Sequence, residues 1–254
     1  GIACSGGKDS FSVLHIVNLL AEKRKNIKIK IIAIDEGIKT YRDLEFLKKY
    51  CKENNLELHT YSFEKEFGIT LDEIVKKLKL KPCSACGVLR RFLLNSKARE
   101  LKVDKLVTGH NLDDEAQTII MNNFRGTLER SARLGPITGV KKDKRFIPRI
   151  KPLYFLTEKE VAVYAFIKKF PIDFNECPNS KISYRSDVRK LINSFEEKHQ
   201  GTKHAIINSF LEELPLLKKQ FQTSVIKSCS ICEEPCSSEI CKVCGFINKI
   251  KTVK

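Results

Sequence analysis

The sequence predicts an α/β protein with a parallel sheet, a helical extension and a small C-terminal unit held together by metal. Three observations support this fold class. Short apolar segments alternate with segments of helical periodicity in the first half, which is typical of parallel sheets with right-handed crossovers. Beyond residue 126 the periodic segments are helical. Five of the ten cysteines lie in the last 26 residues, where they predict a metal site.

The individual elements follow from the spacing of apolar residues. Strands are predicted where short runs are β-branched or fully apolar, at 2–4, 28–34, 56–61 and 104–107. Helices are predicted between and after these strands, at 9–23, 42–53, 87–101, 112–123, 158–169, 185–198 and 202–214. Thr157 is the expected N-cap of the fifth helix, and Pro171 stops it. We expect three units, at 1–155, 156–226 and 227–254.

The charge balance predicts a polyanionic partner. The 254 residues contain 47 Lys and Arg against 31 Asp and Glu, a formal net charge of +16. Nucleic acid is the favoured partner and an acidic membrane surface the second, with a solvated lysine-rich surface as the alternative. No apolar run approaches the ~18 residues of a membrane span, and no secretory signal is visible. Many cysteines without an export signal indicate a reducing, cytoplasmic location.

A glycine-rich segment, SGGKDS at 5–10, follows the first strand and opens the first helix. Backbone N–H groups and the helix dipole favour an anion there, and Lys8 adds a mobile positive charge. The segment is not a Walker A loop, which would need glycine at Ile2 and Ser or Thr at Asp9. A helix start with Ser5 as a simple cap is the less favoured alternative. The segment therefore predicts a phosphate-binding loop.

A second segment, TGHNLDDE at 108–115, again lies between a strand and a helix. Gly109 permits close approach of a ligand, and carboxylates at a helix N-terminus suit the helix dipole or a metal ion. A plain helix cap explains the same spacing, with Asn111 as the N-cap and the acids in the first turn. The residues alone leave these two interpretations equally open.

Cys83 and Cys86 form a C-x-x-C pair that precedes a predicted helix containing Arg90. The pair fits a redox motif, half of a zinc site or part of an iron–sulfur site, and inert buried thiols are less favoured. A helix N-terminus and neighbouring arginines lower the pKa of a thiol. Reactive thiolates are therefore predicted at this pair.

The C-terminal cysteines have the spacing of a zinc ribbon. Cys229, Cys232, Cys241 and Cys244 form two C-x-x-C knuckles that can close a tetrahedral site. So short a segment has little other core, so metal would stabilise its fold. Cys236 is the spare cysteine. A disulfide cluster would need an oxidising compartment, which nothing else in the sequence supports.

The segment SGGKDS resembles the PP-loop of ATP pyrophosphatases, a Rossmann-like family that splits ATP between the α and β phosphates and adenylates a substrate. The resemblance implies that Gly6 and Gly7, with Lys8, form the cradle for the phosphates. It implies that Asp9 helps to hold Mg²⁺. Ser5 and Ser10 are expected to contact phosphates.

Two further matches extend this resemblance to the rest of the nucleotide site. The segment GHNLDD resembles the GHNxDD segment of PP-loop tRNA enzymes. This implies that Gly109 and Asp114 lie at the nucleotide and that Asp114 takes part in catalysis. The match of Arg90 to the family pattern C-x-x-C-G-x-x-R-R implies contact with the ATP phosphates.

The chain resembles the PP-loop tRNA 2-thiolation family, in which that pattern is joined by a distant cysteine. Cys83, Cys86 and Cys177 match the three cysteine positions, which in the family are catalytic and bind a 4Fe–4S cluster. Three ligands leave one iron open to hold a sulfide. The implied reaction is ATP-dependent 2-thiolation of a tRNA uridine. ATP adenylates the uracil C2 oxygen, sulfur attacks C2, and AMP departs.

Two alternatives to this reaction stay open. The first is the same reaction without a cluster, with a persulfide on Cys83 or Cys177. The second is a non-catalytic zinc-ribbon protein that binds RNA and carries an inactive PP-loop, against which the intact SGGKDS and GHNLDD segments argue. Lysidine synthesis is disfavoured because that chemistry requires no cysteines.

The C-terminal ribbon resembles that of the archaeal-type TtuA-like group, within the wider TtuA- and TtcA-like family. That group opens with a further zinc knuckle pair and a full first strand, so we expect the chain to be clipped at its N-terminus. The implied partners are tRNA, a ubiquitin-like thiocarboxylate sulfur carrier and a second copy in a homodimer. The target uridine, at the wobble position or in the T-loop, is left open by the sequence.

The stretch KKDKRFIPRIK at 141–151 contains six basic residues and one aspartate. Together with the basic helices it is predicted to line the path of the tRNA by neutralising phosphates. A solvated loop is the alternative, because charge runs are often but not always interaction surfaces.

Overall fold

The computed structural model describes residues 1–39, 41, 44–140, 143–172, 177–180, 183–222 and 226–252. Within these ranges the elements in chain order are β1 (Ile2–Ala3), α1 (Lys8–Lys23), β2 (Ile31–Asp35), α2 (Glu45–Glu53), β3 (Leu58–Ser62), α3 (Phe63–Phe67), α4 (Leu71–Leu78), α5 (Pro82–Glu100), β4 (Leu106–Thr108), α6 (Leu112–Phe124), α7 (Leu128–Ser131), β5 (Arg149–Ile150), α8 (Glu158–Ile167), α9 (Tyr184–Lys198), α10 (Thr202–Gln220), β6 (Lys227–Ser228), β7 (Pro235–Cys236) and α11 (Lys242–Thr252).

The first five strands form one parallel sheet in the order β3-β2-β1-β4-β5. The predicted α/β fold with a parallel sheet is thereby confirmed. Strand order reverses between β1 and β4, because the chain first builds outward through β2 and β3 and then returns to the other side. Such a switch point leaves a crevice beyond the carboxyl ends of the two central strands, where open α/β sheets bind ligands.

One strand of this sheet was not predicted. The sequence indicates four strands, whereas β5 pairs with β4, Leu106 opposite Arg149. The N–H of Leu106 donates to the carbonyl of Pro148 at 2.8 Å. A strand of two residues inside a basic, proline-containing stretch has no alternation pattern to reveal it. The basic stretch at 141–151, in which no strand was predicted, is therefore partly sheet.

Four helices of the described residues and two helix boundaries also differ from the prediction. Helices α3, α4, α7 and α11 were not predicted, although α4 begins with a capping box formed by Thr70 and Glu73. Helix α5 begins at Pro82 rather than at residue 87, because proline is favoured in the first turn of a helix. Cys83 and Cys86 are therefore inside α5 and not before it. Helix α10 runs past 214 and through Pro215, since Leu214 and Leu217 both pack on one apolar cluster.

The helices cover both faces of the sheet and extend the core to the C-terminal unit. On one face, α1 buries Phe11 and Leu14 against the central strands. On the other face, α5 shares an apolar cluster with Cys229, Cys241 and Val243 of the C-terminal unit, in which β6 and β7 pair antiparallel. None of the helices in the described ranges is long and apolar enough to cross a bilayer.

A buried ion pair ties α6 to the segment after β5. Lys151 Nζ lies 2.7 Å from Glu115 Oε1, and the two side chains are only 5% and 3% exposed. Burial raises the pKa of Glu115 and lowers that of Lys151, so each charge depends on the other for its stability. Removing one partner of such a pair leaves the other charge buried and uncompensated.

We expect Glu115→Gln to lower the free energy of unfolding by about 3–5 kcal/mol, because the Lys151 ammonium then lacks a counter-charge. Urea denaturation measures this loss. The double variant Glu115→Gln, Lys151→Met should recover part of it. The exposed pair of Lys49 and Glu53 is a matched control, in which Glu53→Gln should cost less than about 1 kcal/mol. Equal costs at the two sites would contradict the account.

Candidate active site

The loops after β1 and β4 meet at the switch point of the sheet. SGGKDS connects β1 to α1, and TGHNLDD connects β4 to α6. Because the two strands are neighbours, both loops lie at the same edge. Each loop also runs into a helix N-terminus, where backbone N–H groups favour negative charge. The two motifs found separately in the sequence are therefore brought together.

The backbone of the first loop is closed by Ser10. The Ser5 N–H donates to Ser10 Oγ at 3.2 Å, and Ser10 Oγ donates to the Gly7 carbonyl at 2.8 Å. Ser10 is almost fully buried, and Gly6 has a φ of +85°, a conformation that favours glycine. The Ser10 hydroxyl thus shapes the loop from within, and its expected contact with a phosphate remains a prediction.

Lys8 and Asp9 connect the first loop to distant parts of the chain. Lys8 Nζ donates to Asp9 Oδ2 at 3.0 Å and to Glu158 Oε1, at the start of α8, at 3.1 Å. Burial disfavours the ammonium charge, but Asp9 and Glu158 outweigh it and raise the pKa of Lys8. Asn111 Nδ2 donates to Asp9 Oδ1 at 3.0 Å and so links the two loops directly.

Gly109 brings the two loops into backbone contact. A Cβ at this position would lie 2.8 Å from the carbonyl carbon of Asp9, 2.9 Å from its oxygen and 3.0 Å from the N of Ser10. These neighbours are backbone atoms that a rotamer change cannot move. The sequence predicted that Gly109 permits the close approach of a ligand. In the structure, the group that approaches Gly109 closely is the backbone of the first loop.

We expect Gly109→Ala to displace the start of α1 and to reduce pyrophosphate release from ATP by about 100-fold, since misplacement by ~1 Å is enough for such a loss. Steady-state pyrophosphate assays measure the effect. Gly245→Ala is the matched control, because nothing lies within 4 Å of its added Cβ. Full activity of Gly109→Ala would show that the loop contact does not position the site.

The two adjacent aspartates of α6 have different surroundings. Asp113 is buried, forms an ion pair with Lys203 of α10 and accepts a hydrogen bond from the N–H of Glu158 at 2.7 Å. Asp114 forms a capping box with Asn111 and lies 3.6 Å from Arg185 Nη1. Burial raises the pKa of Asp114 although Arg185 opposes the shift. Asp113 thus joins helices, whereas Asp114 completes the helix cap, which confirms the helix-cap interpretation. The role of Asp114 at the nucleotide remains a prediction.

His110 is surrounded by cationic side chains in the crevice beyond the carboxyl ends of β1 and β4, called the cleft below. Burial and then the charges of Lys151 and Arg185 lower the pKa of His110 to about 3. Arg149 and Arg90 act in the same direction. The imidazole is therefore neutral at pH 7, and the positive charge of the cleft comes from lysine and arginine side chains.

Two of the three candidate cluster cysteines, Cys83 and Cys177, lie near one another. Cys83 donates to the carbonyl of Asn179 at 3.5 Å, which joins α5 to the segment that contains Cys177. Burial and then Cys177 raise the pKa of Cys83, more than the charge of Arg90 lowers it. The expectation of a lowered pKa at Cys83 is therefore wrong.

Arg90 connects the cysteines to the sheet. Its Nη2 donates to Cys86 Sγ at 3.0 Å, and its Nε lies 2.9 Å from Glu36 Oε1. Glu36 is 1% exposed and directly follows β2, so its buried carboxylate holds the Arg90 guanidinium at the end of that strand. Burial disfavours the charge on Arg90, but Glu36 and Cys86 outweigh it and raise the pKa. The structure thus places Arg90 against a sulfur, and its expected contact with ATP phosphates remains a prediction.

The four C-terminal cysteines form a compact group. The sulfurs of Cys229, Cys232, Cys241 and Cys244 all lie within 4.8 Å of one another, and Cys232 and Cys241 are 3.7 Å apart. A tetrahedral Zn–S distance of about 2.3 Å gives an edge of about 3.8 Å between sulfurs. The N–H of Cys241 donates to Cys229 Sγ at 3.2 Å. This group could hold one metal ion.

The spare cysteine and the basic stretch take other roles. Cys236 lies outside that group and donates to the carbonyl of Ser238 at 2.9 Å. In the basic stretch, Lys141 and Lys142 fall outside the described residues. Arg145 pairs with Asp143 and donates to Ser228 Oγ at 2.7 Å, while Lys151 is buried. Part of that stretch therefore supports the fold instead of presenting free charge.

Sequence reasoning missed Glu36, Glu158, Arg185 and Lys203. Arg185, at the start of α9, donates to the Asp114 carbonyl at 3.2 Å and to Thr118 Oγ1 at 2.9 Å. Each of these four residues reaches the site from another element, up to 150 positions away along the chain. No local spacing signals such a contact.

A glycine-rich loop at a helix N-terminus, joined by Asn111 to a second acidic loop at the switch point, defines an α/β nucleotide-binding protein of the PP-loop class. The model of the PP-loop domain family matches residues 1–194. The chain therefore belongs to the PP-loop family.

The chain is also similar to individual members of this family that are named for tRNA thiolation. The tRNA 2-thiolation protein NcsA of Haloferax volcanii is 37% identical over 99% of this chain and 82% of its own length. The tRNA-5-methyluridine(54) 2-sulfurtransferase of Pyrococcus horikoshii is 34% identical over 96% of this chain and 77% of its own. The solved structure of the U34-tRNA thiolase NcsA from Methanococcus maripaludis, with its [4Fe–4S] cluster, is 35% identical, covers 96% of this chain and 78% of its own, and has a TM-score of 0.82.

Proposed function

We propose that the protein is a tRNA uridine 2-sulfurtransferase that uses ATP to activate the uracil C2 oxygen and then replaces that oxygen with sulfur. One observation carries the proposal beyond the family. Arg185 Nη1 lies 3.6 Å from Asp114 Oδ1, and the charge of Arg185 also acts to lower the pKa of Cys83. This supports a single cleft bordered by the nucleotide loops and the cysteine site, as a two-step reaction on one uridine requires.

The residues of the cleft supply the first step. The backbone of SGGKDS and Lys8 bind the ATP phosphates, and the carboxylates of Asp9 and Asp114 hold Mg²⁺. The uracil O2 attacks the α phosphorus, pyrophosphate leaves, and the N3 proton is released. Arg90 and Arg185 offset negative charge that develops on the phosphates. In the second step a sulfur nucleophile attacks C2, and AMP leaves with the former uracil oxygen.

Cys83, Cys86 and Cys177 are the proposed ligands of a 4Fe–4S cluster. When bound, such a cluster supplies an iron with a free position for the sulfur that is transferred. Among the described residues, only the C-terminal cysteines bring three or more ligand atoms within 4.8 Å of one another. The C-terminal group is the proposed zinc site.

Several parts of the proposal come from the family. The sulfur source is a ubiquitin-like thiocarboxylate protein, the assembly is a homodimer, and the location is cytoplasmic. Relatives of similar identity are named for U34 and for 5-methyluridine 54 of tRNA. The position of the target uridine must therefore be determined by mapping the 2-thiouridine in the product tRNA.

The experiment is tRNA-dependent release of AMP and pyrophosphate from ATP. The enzyme account predicts that an unmodified tRNA transcript stimulates the release of both products in equal amounts, provided a sulfur donor is present. RNA binding without any release would support the alternative of a zinc-ribbon RNA-binding protein. The persulfide alternative predicts the same products and is distinguished by its independence from iron.

A further inference from the structure

We propose that Arg91, Arg130 and Arg149 form a binding site for backbone phosphates of single-stranded RNA, in a cleft between α5 and the C-terminal unit. The inference rests on the proposed function and deepens it, since it names the surface that places the target nucleotide beside the cysteines.

The three arginines come from three separate elements and meet beside the cysteine-bearing turn of α5. Arg149 Nη2, in β5, donates to the carbonyl of Arg91 at 3.2 Å. The Arg91 guanidinium folds back along α5, where an added Cβ on Gly87 would lie 3.1 Å from its Nη1. Arg130, in α7, is close enough to Arg91 for the two charges to repel.

The charge of this arginine cluster is not balanced by the protein. Five other arginines have carboxylate partners, namely Arg90, Arg99, Arg133, Arg145 and Arg185. In the described part of the chain, no ion pair involves Arg91, Arg130 or Arg149. Burial and then Arg90 lower the pKa of Arg91, while burial and then Arg91 lower that of Arg149 to about 10. Neighbouring cations that repel one another are stabilised by an anion.

The shape and lining of the cleft indicate which anion. Arg91 and Arg149 line a cavity of about 220 Å³ together with Lys242 of α11. Glu234 is the one carboxylate in this lining, and it is paired with Arg99. Phe92 and Phe146 also line it, and Phe146 is 42% exposed. Aromatic rings beside cations are typical of sites that bind unpaired nucleotides, where the rings stack on bases and the cations hold phosphates.

The number of cations favours RNA over a protein carboxylate. A carboxyl terminus would bring a single negative charge to the two guanidinium groups and one ammonium group that line the cavity. Successive phosphates along an RNA strand bring one charge each, and arginine binds phosphate through paired N–H donors. Single-stranded tRNA loops also offer the unstacked bases that Phe92 and Phe146 could contact.

The test is the salt dependence of binding of an unmodified tRNA transcript to the full-length protein, followed by fluorescence anisotropy over a range of KCl concentrations. Arg91→Gln and Arg149→Gln should each weaken binding and reduce the slope of log K against log[salt] by about one, and the double variant by about two. Arg133→Gln is the matched control, since Arg133 is exposed and paired with Glu129. It should leave the slope unchanged.

Other outcomes would overturn the proposal. An unchanged slope in the double variant excludes phosphate contacts at this cluster. Intact RNA binding, with loss only of activity supported by a thiocarboxylate protein, would assign the cluster to that protein's carboxyl terminus instead. Arg130→Gln, on the exposed surface, provides a further variant should Arg149→Gln unfold. Failure of the proposed function is seen separately, as absence of tRNA-dependent pyrophosphate release in the unaltered protein.

Discussion

Replacing Cys177 with alanine should abolish tRNA thiolation and remove most of the iron, while ATP binding is retained. The reason is that Cys177 joins Cys83 from a segment far along the chain, so two ligands on α5 alone cannot hold a cluster. After anaerobic reconstitution, the unaltered protein should bind about four irons and show broad thiolate-to-iron absorption, as a cubane cluster does. Iron analysis, absorption spectra and nucleotide titration measure the three expectations.

Cys241→Ala is the matched control for this variant, because it removes one of four ligands from the C-terminal group and leaves the α5 pair intact. It should lose zinc and lower the thermal stability, since Cys241 is buried in the cluster shared with α5. If Cys177→Ala keeps its iron, or if Cys241→Ala is the variant that loses it, the assignment of the two metal sites is wrong.

Lys8→Ala, Asp9→Ala and Asp114→Ala should each reduce pyrophosphate release by at least about 100-fold, because each removes a charge aimed at the reacting phosphates or their metal ion. Asn111 links Asp9 to the second loop, so the three side chains act at one place. Rapid-quench or coupled pyrophosphate assays at saturating tRNA measure the loss. Circular dichroism should be unchanged, since all three residues are in loops or at helix starts.

Asp113→Asn is the contrast within the same segment. Its carboxylate pairs with Lys203 and accepts the N–H of Glu158, so the substitution should lower the melting temperature. The folded fraction should still release pyrophosphate at a rate close to normal. If Asp113→Asn and Asp114→Asn were equally inactive while folded, the assignment of Asp113 to the fold and of Asp114 to the nucleotide site would be wrong.

The order of strands and helices around the catalytic loops could be predicted because their signals are local. Apolar spacing indicated α1 and α6, and the short apolar runs indicated β1 and β4. The loops between them were found from glycine and acidic residues at helix starts. Strand β5 was not predicted. Its two residues lie inside a basic stretch, and only their pairing with β4 makes them a strand.

The finer roles within the site could not be predicted because they depend on distant partners. Asp113 and Asp114 are equivalent in sequence, and only Lys203 and Arg185 distinguish them. The net shift in the pKa of Cys83 was predicted in the wrong direction, because burial and then Cys177 raise this pKa by more than the arginines lower it. Nothing in the sequence distinguishes Arg91 and Arg149 from other basic residues. Only the fold shows that neither forms an ion pair with a carboxylate in the described part of the chain.

The most direct measurement is the mass analysis of nucleosides from a tRNA transcript incubated anaerobically with ATP, a sulfide donor and the protein, with and without its iron. The account predicts that 2-thiouridine forms at one mappable position only with the iron-loaded protein and only in the presence of ATP. Thiolation at the normal rate by iron-free protein would contradict the cluster. A requirement of that iron-free reaction for a sulfane-sulfur donor in place of sulfide would support a cysteine persulfide. Absence of thiouridine, with intact RNA binding by fully iron-loaded protein, would contradict the enzyme itself.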